Sequence, residues 1–190
     1  FVVAEDDAAA DIATGEAVRV TEKLEATPVV VKERRDIAPA ARRGAPPAVV
    51  AEVLAHFGLT TSLVVVEGEG ASGKSWLLRV VAVRFARARA SGSGEPAWLP
   101  LRLSLASLRS ADGTIAAHAH SEALAKAKAE RRLVLLLDGL DECPPERRAA
   151  VLTMVDAAAH DGAIIVLSTR PSPTNADDLA PLGFRFFEAL

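Results

Sequence analysis

The chain has 190 residues, which fits one domain of ordinary size and excludes a large multi-domain machine. Hydrophobic residues make up 50% of it, well above the content of a disordered chain, so a globular fold is expected. The 22 basic and 25 acidic residues are spread along the whole chain and give a net charge of −3, so no global field favours nucleic acid or an anionic membrane.

The cysteine content and the apolar runs bear on the compartment. The single cysteine, Cys143, cannot form an internal disulfide, which suits a reducing compartment. No apolar run reaches the roughly 18 residues of a transmembrane helix, and the start of the chain turns acidic where a signal peptide would stay apolar. We therefore expect a cytoplasmic protein. Because the sequence starts at Phe1 and stops at Leu190 inside a strand-like run, we also expect an excerpt from a longer chain.

Residues 1–47 are predicted to form an N-terminal appendage and linker. Two β-prone stretches, at residues 17–21 and 28–32, favour a hairpin, and an Arg-, Gly- and Pro-rich segment follows them. Apolar residues then recur at helical spacing over residues 49–57 and stop at Gly58, a residue type typical of helix C-termini. One amphipathic helix is therefore expected in front of the central sheet.

The core domain is placed at residues 48–190, where short apolar β runs alternate with helical stretches from residue 63 onward. This alternation is typical of βαβ units and of a mainly parallel sheet covered by helices on both faces, a three-layer αβα fold. Five strands are predicted, at residues 63–67, 97–103, 133–137, 163–168 and 185–188. Helices are predicted at residues 74–90, 114–131 and 145–160, with a shorter one at 175–179.

A phosphate-binding loop is predicted between the first of these strands and the helix that follows it. Residues 68–75 read GEGASGKS and match the pattern G-x-x-x-x-G-K-[ST] at every fixed position. A Gly-rich turn without a ligand is the alternative, but a lysine at the positive end of a helix dipole is unfavourable unless an anion binds there. The residues predicted to bind nucleotide here are Gly68, Gly70, Ala71, Ser72, Gly73, Lys74 and Ser75. Lys74 is expected to reach the β and γ phosphates, and Ser75 to offer its hydroxyl to Mg²⁺.

The apolar strand at residues 133–137 ends in a cluster of acids, Asp138, Asp141 and Glu142. Ligands bind at the carboxyl ends of strands in open α/β sheets, so Asp138 is predicted to hold Mg²⁺ beside the phosphate loop. Asp141 or Glu142 would then polarise the attacking water, with Glu142 favoured. In the alternative interpretation these acids only solvate a turn and cap the next helix.

The strand predicted at residues 163–168 leads into Ser168, Thr169, Arg170 and Pro171, which puts a hydroxyl and a guanidinium at the same end of the sheet as the acids. A guanidinium at this position could pair with the γ-phosphate and detect its presence. An arginine at a strand end is also commonly just solvated.

These segments together resemble the NACHT family of STAND NTPases, regulatory P-loop ATPases found in immune receptors and bacterial defence proteins. The resemblance rests on GEGASGKS at 68–75, LLLDGLDE at 135–142 and LSTRP at 167–171, and it covers about residues 48–190. It implies the strand order 5-1-4-3-2, a nucleotide-sensing role for Thr169 and Arg170, and adenine contacts around residues 37–47. It also implies self-association through the NTPase core, and sensor and effector domains in the same longer chain.

The favoured function is an ATP-binding, slowly hydrolysing regulatory switch, with ATP or ADP and Mg²⁺ as its ligands. In such a switch the two nucleotides favour different arrangements of neighbouring domains. Two alternatives remain: an AAA+-like mechanical ATPase with fast turnover, and a nucleotide-stabilised scaffold that never hydrolyses ATP. No direct nucleic-acid or membrane signal is present in the sequence.

Overall fold

The structure is a computed structural model that describes residues 31–37, 46–90, 98–106 and 122–190. Within them a single sheet is flanked by helices. Its strands, in chain order, are β1 (Val31–Glu33), β2 (Leu63–Glu67), β3 (Leu99–Ser104), β4 (Leu133–Asp138), β5 (Ile164–Thr169) and β6 (Arg185–Ala189). The helices are α1 (Ala48–Ala55), α2 (Lys74–Ala90), α3 (Glu122–Ala129), α4 (Pro145–His160) and α5 (Pro173–Leu179).

The strands are ordered β1-β6-β2-β5-β4-β3 across the sheet. All neighbouring pairs are parallel except β1 and β6. The five predicted strands therefore take the order 5-1-4-3-2, which confirms the order implied by the family resemblance. In this order β5 lies between the strand that leads into the phosphate loop and the strand that ends at Asp138, so the three predicted motifs meet at one edge of the sheet.

Each face of the sheet packs against its own set of helices, because successive side chains of a strand point to opposite faces. One core combines α1 and α2 with even-numbered residues of β2, β4 and β5, such as Val64, Val134 and Val166. The other combines α3, α4 and α5 with odd-numbered residues of the same strands, such as Leu135. This is the predicted three-layer fold, and strands buried on both faces explain the continuous apolar runs.

A sixth strand, β1, corrects the assignment of its residues to an appended hairpin. Val31–Glu33 pairs antiparallel with β6, with Val31 opposite Ala189, so this part of the N-terminal segment belongs to the main sheet. The other half of the predicted hairpin, residues 17–21, lies outside the described residues. An antiparallel partner on β6 covers an edge that would otherwise expose unpaired backbone groups.

The remaining predicted elements agree with the structure to within a few residues at their ends. Helices 74–90 and 145–160 have the predicted bounds, whereas the predicted helix 175–179 begins two residues earlier, at Pro173. Only Glu122–Ala129 of the predicted helix 114–131 is described as α-helix, and the start of the prediction lies outside the described residues. In the part of the chain that the structure describes, no helix is long and apolar enough to cross a membrane.

Candidate functional site

The phosphate loop joins β2 to α2, and its backbone has the tight curvature that the glycines predict. Ala71 and Gly73 have positive φ values of 64° and 84°, so two residues turn the chain through the left-handed region. A Cβ atom at Gly68 would lie 2.5 Å from Ser72 Oγ, so any other residue there would displace the Ser72 side chain. A curved loop that leads into the start of a helix is the arrangement in which backbone N–H groups bind an anion.

Lys74, the first residue of α2, folds back over the phosphate loop. Its Nζ donates to the backbone oxygens of Gly68 at 2.6 Å and Glu69 at 2.8 Å, and to Ser72 Oγ at 3.2 Å. These acceptors are neutral, so phosphate oxygens would be stronger partners for the ammonium group. The lysine is therefore held at the loop by contacts that a phosphate group can replace.

Asp138, at the end of β4, is the centre of the hydrogen-bond network beside the phosphate loop. Its Oδ1 accepts from Ser75 Oγ at 3.0 Å and from Ser168 Oγ at 2.5 Å, and its Oδ2 accepts from Arg102 at 2.6 Å. Asp138 and Ser168 are even-numbered, so both point to the sheet face that α2 covers, which is why the start of α2 meets them. The structure thus brings Ser75 and Asp138, the two residues predicted as cation ligands, into direct contact.

The donor set of Ser75 and Asp138 fits a divalent cation such as Mg²⁺. A hydroxyl and a carboxylate are hard oxygen ligands, and Mg²⁺ normally binds through one or two carboxylates plus phosphate and water. Among the described residues, no cluster of three His, Cys, Asp or Glu side chains is placed to hold a metal. A cation here would therefore depend on nucleotide phosphates for part of its coordination.

Gly139 follows Asp138 and allows the chain to turn sharply toward the other two acids. Its φ is +77°, a conformation that glycine adopts without strain, and a short 3₁₀ turn at Leu140–Glu142 follows. A Cβ at position 139 would lie 3.2 Å from Glu142 Oε2, so the carboxylate of Glu142 rests against the Gly139 backbone. The turn thus returns Glu142 to the end of β4.

Asp141 and Arg170 form a contact between the β4 and β5 ends. The backbone N–H of Arg170 donates to Asp141 Oδ1 at 3.0 Å, and Arg170 Nε lies 3.2 Å from Asp141 Oδ2. The two acids after Gly139 therefore differ, since Asp141 holds Arg170 whereas Glu142 lies against Gly139. The Arg170 side chain is 60% exposed, so it is accessible from solvent at this end of the sheet.

The hydroxyl of Thr169 points away from Asp138, toward the helices on the other face. Its Oγ1 accepts from Asn175 Nδ2 at 3.0 Å, and the same amide donates to the Arg170 carbonyl at 2.8 Å. Arg148, on α4, donates to Asn175 Oδ1 and to Asp178 at 2.8 and 2.9 Å. Of the two hydroxyls at the end of β5, Ser168 faces the predicted cation site and Thr169 faces α5.

Glu67, the last residue of β2, is 1% exposed and directly precedes the phosphate loop. Arg34, which follows β1, pairs with its Oε2 at 2.7 Å. Burial raises the pKa of Glu67, and the hydrogen bond from Arg34 partly offsets that rise. Arg34 also pairs with Asp36 and lowers the pKa of that carboxyl through a hydrogen bond.

A cavity of about 500 Å³ lies next to this ion pair, lined by Lys32, Glu33, Arg34, Arg35, Asp36 and Glu188. Glu188 is in register with Glu67 on the neighbouring strand, so the cavity adjoins the start of the phosphate loop. Of the residues expected to contact adenine, 38–45 lie outside the described part of the chain.

Several residues of the site were not identified as site residues from the sequence: Arg102, Ser168, Asn175 and Glu67. Arg102 and Glu67 are charged residues within the apolar runs of β3 and β2. Such residues indicate an ion pair, because a buried charge needs a partner. Arg148 joins α4 to α5 through Asp178 and Asn175. No sequence signal distinguishes Ser168 from Thr169, because β5 is apolar on both faces.

The sheet order, the curved loop before α2 and the Ser75–Asp138 pair define a P-loop nucleotide-binding domain. The model of the NACHT domain matches residues 62–181, which is more than half of the chain, and the chain belongs to this family. A comparison with curated proteins finds no match.

Two solved structures are similar to the chain at low identity. The C. elegans PCH-2 structure is 13% identical, with a TM-score of 0.42, over 75% of this chain and 40% of that one. The Aeropyrum pernix ORC1 protein, solved in complex with DNA, is 21% identical, with a TM-score of 0.44, over 79% of this chain and 46% of that one. The match thus spans less than half the length of either protein.

Proposed function

We propose that the chain is the ATP-binding core of a regulatory switch that hydrolyses ATP slowly. The observation that carries this proposal is the 3.0 Å contact between Ser75 Oγ and Asp138 Oδ1. It joins the phosphate loop to the acidic strand end, which are the two parts that a magnesium–nucleotide site needs. Membership of the NACHT family supports a regulatory role over a purely metabolic one.

Each residue of the loop has a distinct role in this proposal. Lys74 would exchange its contacts with Gly68 and Glu69 for the β and γ phosphates. Mg²⁺, held by Ser75 and Asp138, would neutralise charge on the phosphate oxygens. The backbone N–H groups of residues 68–75 would hold the phosphates nearest the base.

Glu142 is proposed as the group that accepts a proton from the attacking water. Asp141 already holds the backbone and the side chain of Arg170, so it is the less available of the two acids. A general base must reach the attacking water without itself being a metal ligand, and the contact of Glu142 with the Gly139 backbone, next to Asp138, supports this role.

Arg170 is proposed to respond to the γ-phosphate, since it is exposed and joined to the acidic turn through Asp141. Thr169 would act indirectly, because its hydroxyl contacts Asn175 on α5. A change at Arg170 on ATP binding would then reach α4 and α5 through Asn175 and Arg148. This gives the ATP and ADP states a physical basis for different surfaces.

The base of the nucleotide is proposed to occupy the cavity lined by Lys32–Asp36 and Glu188, together with residues of the 37–47 segment. The cavity adjoins Glu67, one residue before the loop that would hold the phosphates. We further propose, from the family alone, self-association in the ATP state and coupling to sensor and effector domains in signalling or defence.

The test is nucleotide binding by calorimetry with the intact chain and Mg²⁺, for wild type and Lys74→Ala. Loss of the phosphate contacts of one ammonium group is expected to weaken ATP affinity on the order of 10- to 100-fold. Lys126→Ala, at an exposed position of α3, is the matched control and should bind as wild type does.

Unchanged ATP affinity in Lys74→Ala would contradict the proposed site. Steady-state turnover measured on the same samples distinguishes the three functions. Slow turnover with different ATP and ADP affinities supports the switch, fast turnover supports a mechanical ATPase, and tight binding without turnover supports a scaffold.

A further inference from the structure

A buried ion pair lies directly beneath the proposed cation site. Arg102, on β3, is 4% exposed and donates to Asp138 Oδ2 at 2.6 Å. It shares the sheet face of Asp138 and Ser168, between the strands and α2, because Leu101 and Leu103 point to the opposite core. A guanidinium in this position is expensive to desolvate, and pairing with a carboxylate offsets only part of that cost. An apolar residue would fill the position at lower cost.

The contacts of the carboxylate divide between its two oxygens. Oδ1 accepts from the hydroxyls of Ser75 and Ser168, while Oδ2 accepts from Arg102. Rotation of the carboxylate about its Cβ–Cγ bond would break the Arg102 contact, which is charged on both sides and therefore strong. Arg102 thus fixes the orientation of the carboxylate, with one oxygen on the side of Ser75.

We infer that Arg102 is a positioning residue for the divalent cation that accompanies the nucleotide. It holds Oδ2, so that Oδ1 is presented beside the Ser75 hydroxyl as a single, oriented ligand. Its positive charge also limits the negative charge that Asp138 presents to nucleotide phosphates. Outer-shell partners of this kind orient metal ligands and strongly affect metal affinity. The inference rests on the proposed function.

The test compares ATP affinity in the presence of Mg²⁺ with ATP affinity in the presence of EDTA, using the intact chain. The dissociation constant in EDTA divided by the dissociation constant in Mg²⁺, called the Mg²⁺ ratio below, measures how much the cation contributes to ATP affinity. In Arg102→Met this ratio is expected to fall on the order of 10- to 100-fold, while ATP affinity in EDTA changes little. Arg185→Met is the control, because Arg185 is also a strand arginine in an ion pair, with Glu33, and should keep the wild-type ratio.

Asp138→Asn provides a second test, which asks whether Arg102 affects the Mg²⁺ ratio through Asp138 or through the general stability of the fold. If Arg102 acts through Asp138, adding Arg102→Met to Asp138→Asn should reduce the Mg²⁺ ratio no further. Arg102→Gln keeps a hydrogen-bond donor without the charge, and it replaces Arg102→Met if that variant does not fold. The Mg²⁺ ratio of Arg102→Gln is expected to lie between that of Arg102→Met and that of wild type.

Three outcomes separate the inference from the proposed function. If wild type binds no ATP, the proposed function fails. If wild type shows a Mg²⁺ effect that Arg102→Met and Arg102→Gln leave unchanged, only the role of Arg102 is overturned. Equal losses of affinity in Mg²⁺ and in EDTA would also overturn it, because they indicate a general effect on the fold.

Discussion

Asp141 Oδ2 lies 3.2 Å from Arg170 Nε, so the first acid of the turn after β4 contacts the arginine at the end of β5. Because Asp141 contacts Arg170, Glu142 is the more available of the two carboxylates to a water molecule. The contact also joins Arg170, which is proposed to respond to ATP, to the turn that carries Glu142, the proposed base. The roles of the two neighbouring acids are therefore expected to separate on substitution.

Glu142→Gln is expected to reduce ATP turnover on the order of 100- to 10,000-fold while ATP affinity changes little. The amide keeps the size of the side chain but accepts no proton. Single-turnover hydrolysis and ATP calorimetry on the same protein provide the measurement. Glu146→Gln, in the exposed first turn of α4, is the control. Retained turnover in Glu142→Gln together with lost turnover in Asp141→Asn would assign the base to Asp141.

Gly139→Ala is expected to reduce both stability and turnover. A φ of +77° is unfavourable for alanine by about 1–2 kcal/mol, and the added Cβ would meet Glu142 Oε2 at 3.2 Å. Displacement of the proposed base should lower turnover on the order of tenfold or more. Urea unfolding and steady-state hydrolysis are the measurements.

Gly162→Ala is the matched control for Gly139→Ala. Gly162 has a φ of +86°, and its nearest neighbour would be the aliphatic part of Arg131 at 3.5 Å, remote from the acids. The two substitutions should cost a similar amount of stability, and only Gly139→Ala should change turnover. A similar turnover loss in both would show that strain, and not the position of Glu142, controls the rate.

Asn175→Ala is expected to lower the free energy of unfolding by about 1–3 kcal/mol. Asn175 is 2% exposed, and its amide donates to Thr169 and to the Arg170 carbonyl while accepting from Arg148. Its loss leaves buried polar groups unpaired. Asp177→Ala, at an exposed position of the same helix, is the control in chemical denaturation. Equal stability of the two variants would contradict a structural role for the amide.

Arg34→Met is expected to destabilise the chain by roughly 1–3 kcal/mol at about pH 7, and by less at about pH 5. Burial raises the pKa of Glu67 in the folded chain above its value in the unfolded chain. At a pH between these two pKa values, Glu67 is protonated in the folded state and ionised in the unfolded state. Stability then falls as the pH rises through that window. Arg34 lowers the pKa of Glu67, so removing Arg34 raises that pKa further and extends the window to higher pH.

The measurement for Arg34→Met is urea unfolding across this pH range. Adding Glu67→Gln to Arg34→Met should abolish the additional pH dependence, because the titrating carboxyl is then absent. A constant destabilisation by Arg34→Met at all pH values would show that Glu67 does not titrate in this range.

Prediction from the sequence was most successful where the local pattern was sufficient. The bounds of α2 and α4 follow from a glycine-rich entry and a Pro-Pro entry, and the Ser75–Asp138 pair follows from two motifs at strand ends. The order of the strands in the sheet was predicted only through the family resemblance. An apolar run that is buried on both faces does not indicate which strands lie beside it.

Contacts that cross between motifs were not predictable in the same way. Arg102 lies on β3, 36 positions before the carboxylate that it contacts, and only the parallel pairing of β3 with β4 brings them together. The β-prone stretch at residues 28–32 overlaps β1 but does not identify its partner, because the pairing of β1 with β6 joins the two ends of the described chain.

The pairing of β1 with β6 also affects where the chain can be cut. The NACHT match at residues 62–181 contains neither strand, although both lie in the same sheet as the phosphate loop. A fragment limited to those residues would leave β2 at the edge of the sheet and Glu67 without Arg34. The region that matches the family is therefore smaller than the sheet to which it belongs, and expression boundaries should extend beyond it on both sides.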